Sequence, residues 1–207
     1  MKKSVLLAGM MFCLMTPSFA SALDNLSDPN LGVAVVKPHD MTCQQFEKAN
    51  ADLQLFVSAW YDGDSTGGNV SDVEYSKADV LSMQEHLFSA CDGDPEATLE
   101  ELEFNYGGED DDYRDPSCSF LLGMKDQREA WTFLSWAVGY FAQDRRVFTI
   151  NVAEFVDMSN SLIKTCLSSP RANVMEEMQS YLKGSSSRGG SSASGGPASW
   201  NKDIENI

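Results

Sequence analysis

Basic residues are scarce in this 207-residue chain: 15 lysines and arginines stand against 31 aspartates and glutamates, a formal charge of −16. Histidine occurs only as His39 and His86. Nucleic-acid binding through phosphate contacts needs clustered Lys and Arg, so this balance excludes it. No apolar run approaches the ~20 residues that cross a bilayer, and no stable membrane insertion is expected. There is no nucleophile elbow, zinc-binding His-Glu-x-x-His, P-loop or dinucleotide fingerprint. The reading is therefore of a non-enzyme without a cofactor. The remaining composition, 43% hydrophobic and 10% aromatic, is that of a globular protein and excludes a wholly disordered one.

The chain opens Met1-Lys2-Lys3, followed by an apolar run from Val5 to Met15. Ser18-Phe19-Ala20 and Ala20-Ser21-Ala22 suit a signal peptidase. This order of charged, apolar and small residues predicts a secretory signal peptide over 1–22, and hence export to the periplasm of a Gram-negative bacterium. Cys13 lies in the apolar run behind Met11 and Phe12, which does not fit a lipoprotein anchor. Removal of the leader leaves 13 bases against 31 acids, a charge of −18. It also leaves four cysteines, Cys43, Cys91, Cys118 and Cys166, which in an exported chain predict two disulfides.

The spacing shows how they pair. Cys43 to Cys91 and Cys118 to Cys166 are both 48 residues. Phe56-Val57-Ser58-Ala59-Trp60 in the first stretch matches Thr132-Phe133-Leu134-Ser135-Trp136 in the second, with one residue of slippage. The later cysteines begin the same pattern, Cys91-x3-Pro95-x-Ala97-x-Leu99 and Cys166-x3-Pro170-x-Ala172-x-Val174. The chain reads as a duplication, which favours pairing Cys43 with Cys91 and Cys118 with Cys166. Each copy is small enough to need such a staple.

Apolar periodicity predicts helices throughout. Leu53, Phe56, Val57, Trp60 and Tyr61 recur at helix spacing, as do Val80, Met83, Leu87 and Phe88. In the second copy Trp131, Leu134 and Val138 share a face, and Val152, Phe155, Val156, Ser159 and Ile163 form the next stripe. Asp94-Pro95 and Ser169-Pro170 read as N-cap and N1, starting short helices just after the second cysteine of each copy. The fold class is thus all-α: two tandem disulfide-stapled helical bundles, over 40–104 and 116–183. Residues 105–115 form an acidic linker between them, and the Gly/Ser-rich tail 184–207 is expected to be disordered. The charge is uneven, with eleven acids and one base in residues 92–115. One stretch, Asp62-Gly-Asp64-Ser-Thr66-Gly67, resembles the start of a calcium loop, but its twelfth position is Val73, with Glu74 one residue late. We read it as a flexible acidic loop without a metal.

Asp40-Met41-Thr42-Cys43-Gln44-Gln45-Phe46, Ala59-Trp60 and Cys91-x3-Pro95 resemble the HdeA/HdeB family of periplasmic acid-stress chaperones. The second copy is similar through Cys118-Ser119-Phe120, Ser135-Trp136-Ala137-Val138-Gly139-Tyr140 and Cys166-x3-Pro170. The resemblance implies helical units with one disulfide each, folded and inactive near neutral pH. In strong acid such units lose their dimer contacts and hold unfolding periplasmic proteins without ATP. The family usually has one unit per chain, so these copies are expected to pair as a pseudo-dimer within the chain or to build a homodimer.

A physical argument runs beside the resemblance. Near pH 2–3 most carboxylates are neutral and the charge swings toward about +15, so self-repulsion loosens the bundles. The client-binding surfaces are then the stripes of Phe56, Val57 and Trp60 and of Trp131, Phe133 and Trp136. The alternative from another class is a periplasmic binding or inhibitor protein of the immunity type, which stays folded and offers an acidic face to one partner near neutral pH.

Overall fold

The computed structural model describes residues 26–67, 74–102, 116–142 and 149–186, with side chains to 183. The expected signal peptide, acidic linker and most of the tail lie outside these residues. Within them are seven α-helices. The first copy holds α1 (Cys43–Lys48), α2 (Ala51–Thr66) and α3 (Lys77–Cys91), then a 3₁₀ turn over Leu99–Glu101. The second holds α4 (Cys118–Leu122), α5 (Gln127–Tyr140), α6 (Val152–Ser168) and α7 (Val174–Ser186).

Local chemistry sets the helix starts, and it sets them alike in both copies. Thr42 and Ser117 cap the first helix of each copy, accepting from the N–H of Gln45 and Phe120. Asn50 and Asp126 cap the second, and Ser76 and Asn151 the third. Such side chains satisfy N–H groups that the first helical turn leaves unpaired. Both expected disulfides are present, Cys43–Cys91 and Cys118–Cys166, with Cα atoms 5.2 and 4.9 Å apart. Each ties the short first helix to the end of the third.

The helices expected at Asp94-Pro95 and Ser169-Pro170 do not start there. Both segments are turns, closed by Ala97 N–H to the Asp94 carbonyl at 3.3 Å and by Ala172 N–H to Ser169 at 2.9 Å. The reason is a bond that the chain must make first. Cys43 N–H donates to the Ala97 carbonyl and Leu99 N–H to Met41, at 2.9 and 2.8 Å. Cys118 to Ala172 and Val174 to Pro116 repeat this pattern, both at 2.8 Å. Only past these bridges do Thr98 and Asn173 begin a helical turn. The last helix then runs to Ser186, so the tail expected from residue 184 begins inside it.

The two copies share one hydrophobic core. The segment before α1, which lay outside the expected domain, also belongs to it. Leu26, Leu31 and Val36 are buried. Val35–Val36 (β1) pairs antiparallel with Ile150–Asn151 (β2) of the second copy. Asn160 of α6 holds Leu26 from both sides, accepting from its N–H at 2.7 Å and donating to its carbonyl at 3.1 Å. Residues 26–38 thus form a strap, anchored to the first copy by the Tyr61 hydroxyl, which donates to the Pro38 carbonyl. No described helix is long and apolar enough to cross a membrane.

Candidate functional site: the seam between the copies

Among the described elements the most extensive contact is α2 against α5, the equivalent helices of the two copies. At their N-terminal ends Arg128 Nε lies 2.8 Å from Asp52 Oδ1. Toward their C-terminal ends Gly63 abuts the backbone of Trp136 and Tyr140. The two helices therefore run side by side in the same direction.

Their approach is close enough to need glycine. A Cβ on Gly63 would run into the Trp136 carbonyl oxygen, and a Cβ on Gly139 into that of Trp60. The two contacts are reciprocal: Gly63 is three residues after Trp60, and Gly139 three after Trp136. Ala59 and Ser135, one turn earlier, are also small and fully buried. Small residues four apart let two helix backbones meet, leaving the flanking aromatics to fill both sides. Ser135 Oγ crosses the seam and donates to the Phe56 carbonyl at 2.8 Å.

The six residues expected to bind clients are all buried. Phe56, Val57, Trp60, Phe133 and Trp136 are at most 2% exposed, and Trp131 is 9% exposed. Trp131 stands at the rim, bordering with Phe56 a small gap that Asp52 and Arg128 also line. Aromatics cross the seam in both directions. Tyr75, from the first copy, packs on Phe133 and Trp136 of the second, with centroids 5.1 and 5.3 Å apart. Phe155, from the second, meets Phe56 edge-on at 5.1 Å. Burial, with Asp62 and Glu129 nearby, pushes the Tyr75 hydroxyl well above the usual tyrosine range. It stays neutral at any physiological pH.

A second ion pair joins the copies at the edge of the seam: Lys77 Nζ lies 3.2 Å from Glu129 Oε1. Glu129 also accepts from the Lys125 N–H at 3.0 Å. That backbone bond, followed by Lys77, lowers its carboxyl below the ordinary value of 4.5, against an opposing effect of burial.

The calcium-loop candidate is not a loop. Asp62, Asp64 and Thr66 lie in the last turns of α2, where Thr66 Oγ1 donates to the Asp62 and Gly63 carbonyls. A helix fans successive side chains around its axis instead of converging them on one ion. Residues 68–73 lie outside the described residues and Glu74 beyond them is exposed. Among the described residues no cluster of three or more His, Cys, Asp or Glu could hold a metal.

Gly63, Gly139, Tyr75 and the two ion pairs were not among the residues expected from sequence. The signal for the glycines was present: Trp-x2-Gly occurs in both copies at equivalent places, as Trp60 to Gly63 and Trp136 to Gly139. Nothing comparable marks Tyr75.

Comparison with known proteins adds a match over part of the chain. Residues 6–101 match the model of the HdeA/HdeB family, a span that takes in the strap and first copy and stops before the second. No curated protein and no solved structure matches the chain.

Proposed function

We propose, on the match of residues 6–101 to the HdeA/HdeB family model, that the whole chain is a periplasmic acid-stress chaperone, an ATP-independent holdase built from two HdeA-like units. Exported by its signal peptide, it is closed near neutral pH. In acid it opens along the α2–α5 seam and binds unfolding periplasmic proteins through the helix faces this exposes.

One observation carries the reading. The apolar faces best suited to bind unfolded chains are those with which the copies hold each other, so parting the copies uncovers Phe56 from Phe155, and Phe133 and Trp136 from Tyr75. Each copy keeps its own disulfide, so the seam can open while each bundle stays stapled.

Glu129 supplies part of the trigger, and its sign is defined. Its folded-state pKa lies below the ordinary 4.5. The stability it contributes is therefore complete above that value and is lost as the pH falls through the folded one. The rest comes from self-repulsion, as a chain that keeps 31 acids and 13 bases after loss of its leader becomes strongly cationic in acid.

The test is client aggregation followed by light scattering at pH 2.5 and pH 7, with and without reductant. The reading expects suppression only in acid. Suppression at neither pH removes it and favours the alternative, an inhibitor that stays folded. The backbone interlock at Gly63 and Gly139 is what such a protein would also need. An inhibitor keeps its circular dichroism and excludes the apolar dye ANS down to pH 3, whereas a chaperone binds the dye as it opens.

A further inference from the structure

The seam is nearly two-fold in its backbone, but its charges are not. Asn50 and Asp126 cap equivalent helices, so Asp52 and Arg128 occupy the same position in the two copies. These are the residues that face each other, Arg128 Nε at 2.8 Å from Asp52 Oδ1 and Nη2 at 3.4 Å from the Ala51 carbonyl. In a symmetric dimer of identical units, a residue beside the axis faces its own copy. Aspartate there would meet aspartate, and arginine would meet arginine. Duplication within one chain removes this restriction, and here the two positions carry opposite charge.

The second cross-copy pair follows the same logic. By the same alignment Glu129 corresponds to Leu53, and Lys77, one residue after the cap Ser76, corresponds to Val152 after Asn151. Lys77 reaches Glu129 at 3.2 Å only because unlike copies meet. Two first copies would set Lys77 against Leu53, and two second copies would set Glu129 against Val152.

We propose that the seam is heterotypic: the first copy's α2 face is built to take the second copy's α5 face and to reject its own kind, with Asp52 and Arg128 as the residues that make the choice. The interlocking glycines and the tryptophans three residues before them are shared by both copies and so cannot discriminate, whereas the crossing rings of Tyr75 and Phe155 stand where the other copy has Ile150 and Val80 and add a difference of shape to the difference of charge. The charges supply both the attraction in the right pairing and the repulsion in the wrong ones. The chain is thereby directed to close on its own second half. This inference concerns the closed protein at neutral pH and stands whether or not the chain acts as a chaperone.

Three variants of the full chain recreate the relevant contacts. Asp52→Arg places arginine against arginine, Arg128→Asp places aspartate against aspartate, and the exchanged double variant Asp52→Arg/Arg128→Asp restores opposite charges. Unfolding in urea at pH 7 and low salt is the readout. Each single variant should lower the folding equilibrium constant by about fivefold or more, the range of a partly exposed pair plus repulsion. The exchanged variant should recover most of that loss, and 0.5 M salt should shrink all the differences. If the exchanged variant is as unstable as the two single losses combined, the charges do not select the pairing and the proposal fails.

Discussion

At the scale of single residues, Gly63 and Gly139 set how near the two copies come. Alanine at either would drive a methyl group into a carbonyl of the opposite helix, and backbone cannot swing aside as a side chain can. We expect each Gly→Ala change to cost about 2–4 kcal/mol in urea unfolding, as overpacking and lost helix contact combine. Gly93→Ala is the control, since a Cβ there meets nothing within 4 Å, and it should change stability by less than about 0.5 kcal/mol. Glu129 sets a different property. With Glu129→Gln the protein should be less stable at pH 7, and its stability should fall less between pH 7 and pH 3. Urea midpoints at the two pH values check this, and an unchanged difference would show that Glu129 plays no part in the acid response. The aromatic residues that the helices bring to the seam were legible in the sequence because helix periodicity marks them, whereas Tyr75, which lies between helices, was not. Their partners were not, since periodicity shows which face is buried and not against what. The Trp-x2-Gly repeat was the one written clue to the close approach.

At the scale of elements, the disulfides and helices follow from spacing that the sequence shows openly. The equal separations of 48 residues reflect two copies of one structural unit. Each bridge closes a long loop, and removing the second with Cys118→Ala/Cys166→Ala should cost roughly 4 kcal/mol on the chain-entropy account, read as a lowered urea midpoint. The starts of the last helix and of the 3₁₀ turn were misplaced for a specific reason. Proline at a favourable position looks like N1, but Ala97 and Ala172 must first give their carbonyls to the cysteine N–H groups of the opposite end. That long-range demand is absent from any local window. The strap is another such case. Residues 26–38 carry little periodicity, yet Leu26 is clamped by Asn160, 134 residues away. Asn160→Ala should cost about 1–2 kcal/mol through two lost backbone contacts. It should also raise amide exchange over residues 26–36 before any change in α2 or α5.

At the scale of the whole molecule, the two bundles are one folded unit. Sequence composition showed net negative charge gathered in residues 92–115, between the copies. The described structure gives the junction charged groups of its own, Asp52 with Arg128 and Lys77 with Glu129, which compositional counting did not single out. The copies interlock by backbone contact, share one core and are crossed by the strap. The proposed acid opening is therefore a cooperative step, one that exposes the stripes from both copies at once. The measurement closest to this claim is amide hydrogen exchange at pH 7 and pH 3, corrected for intrinsic rates. The account predicts that protection over residues 56–66 and 133–140 falls at pH 3, while the segments beside each disulfide keep more of theirs. Equal protection of α2 and α5 at both pH values would contradict it.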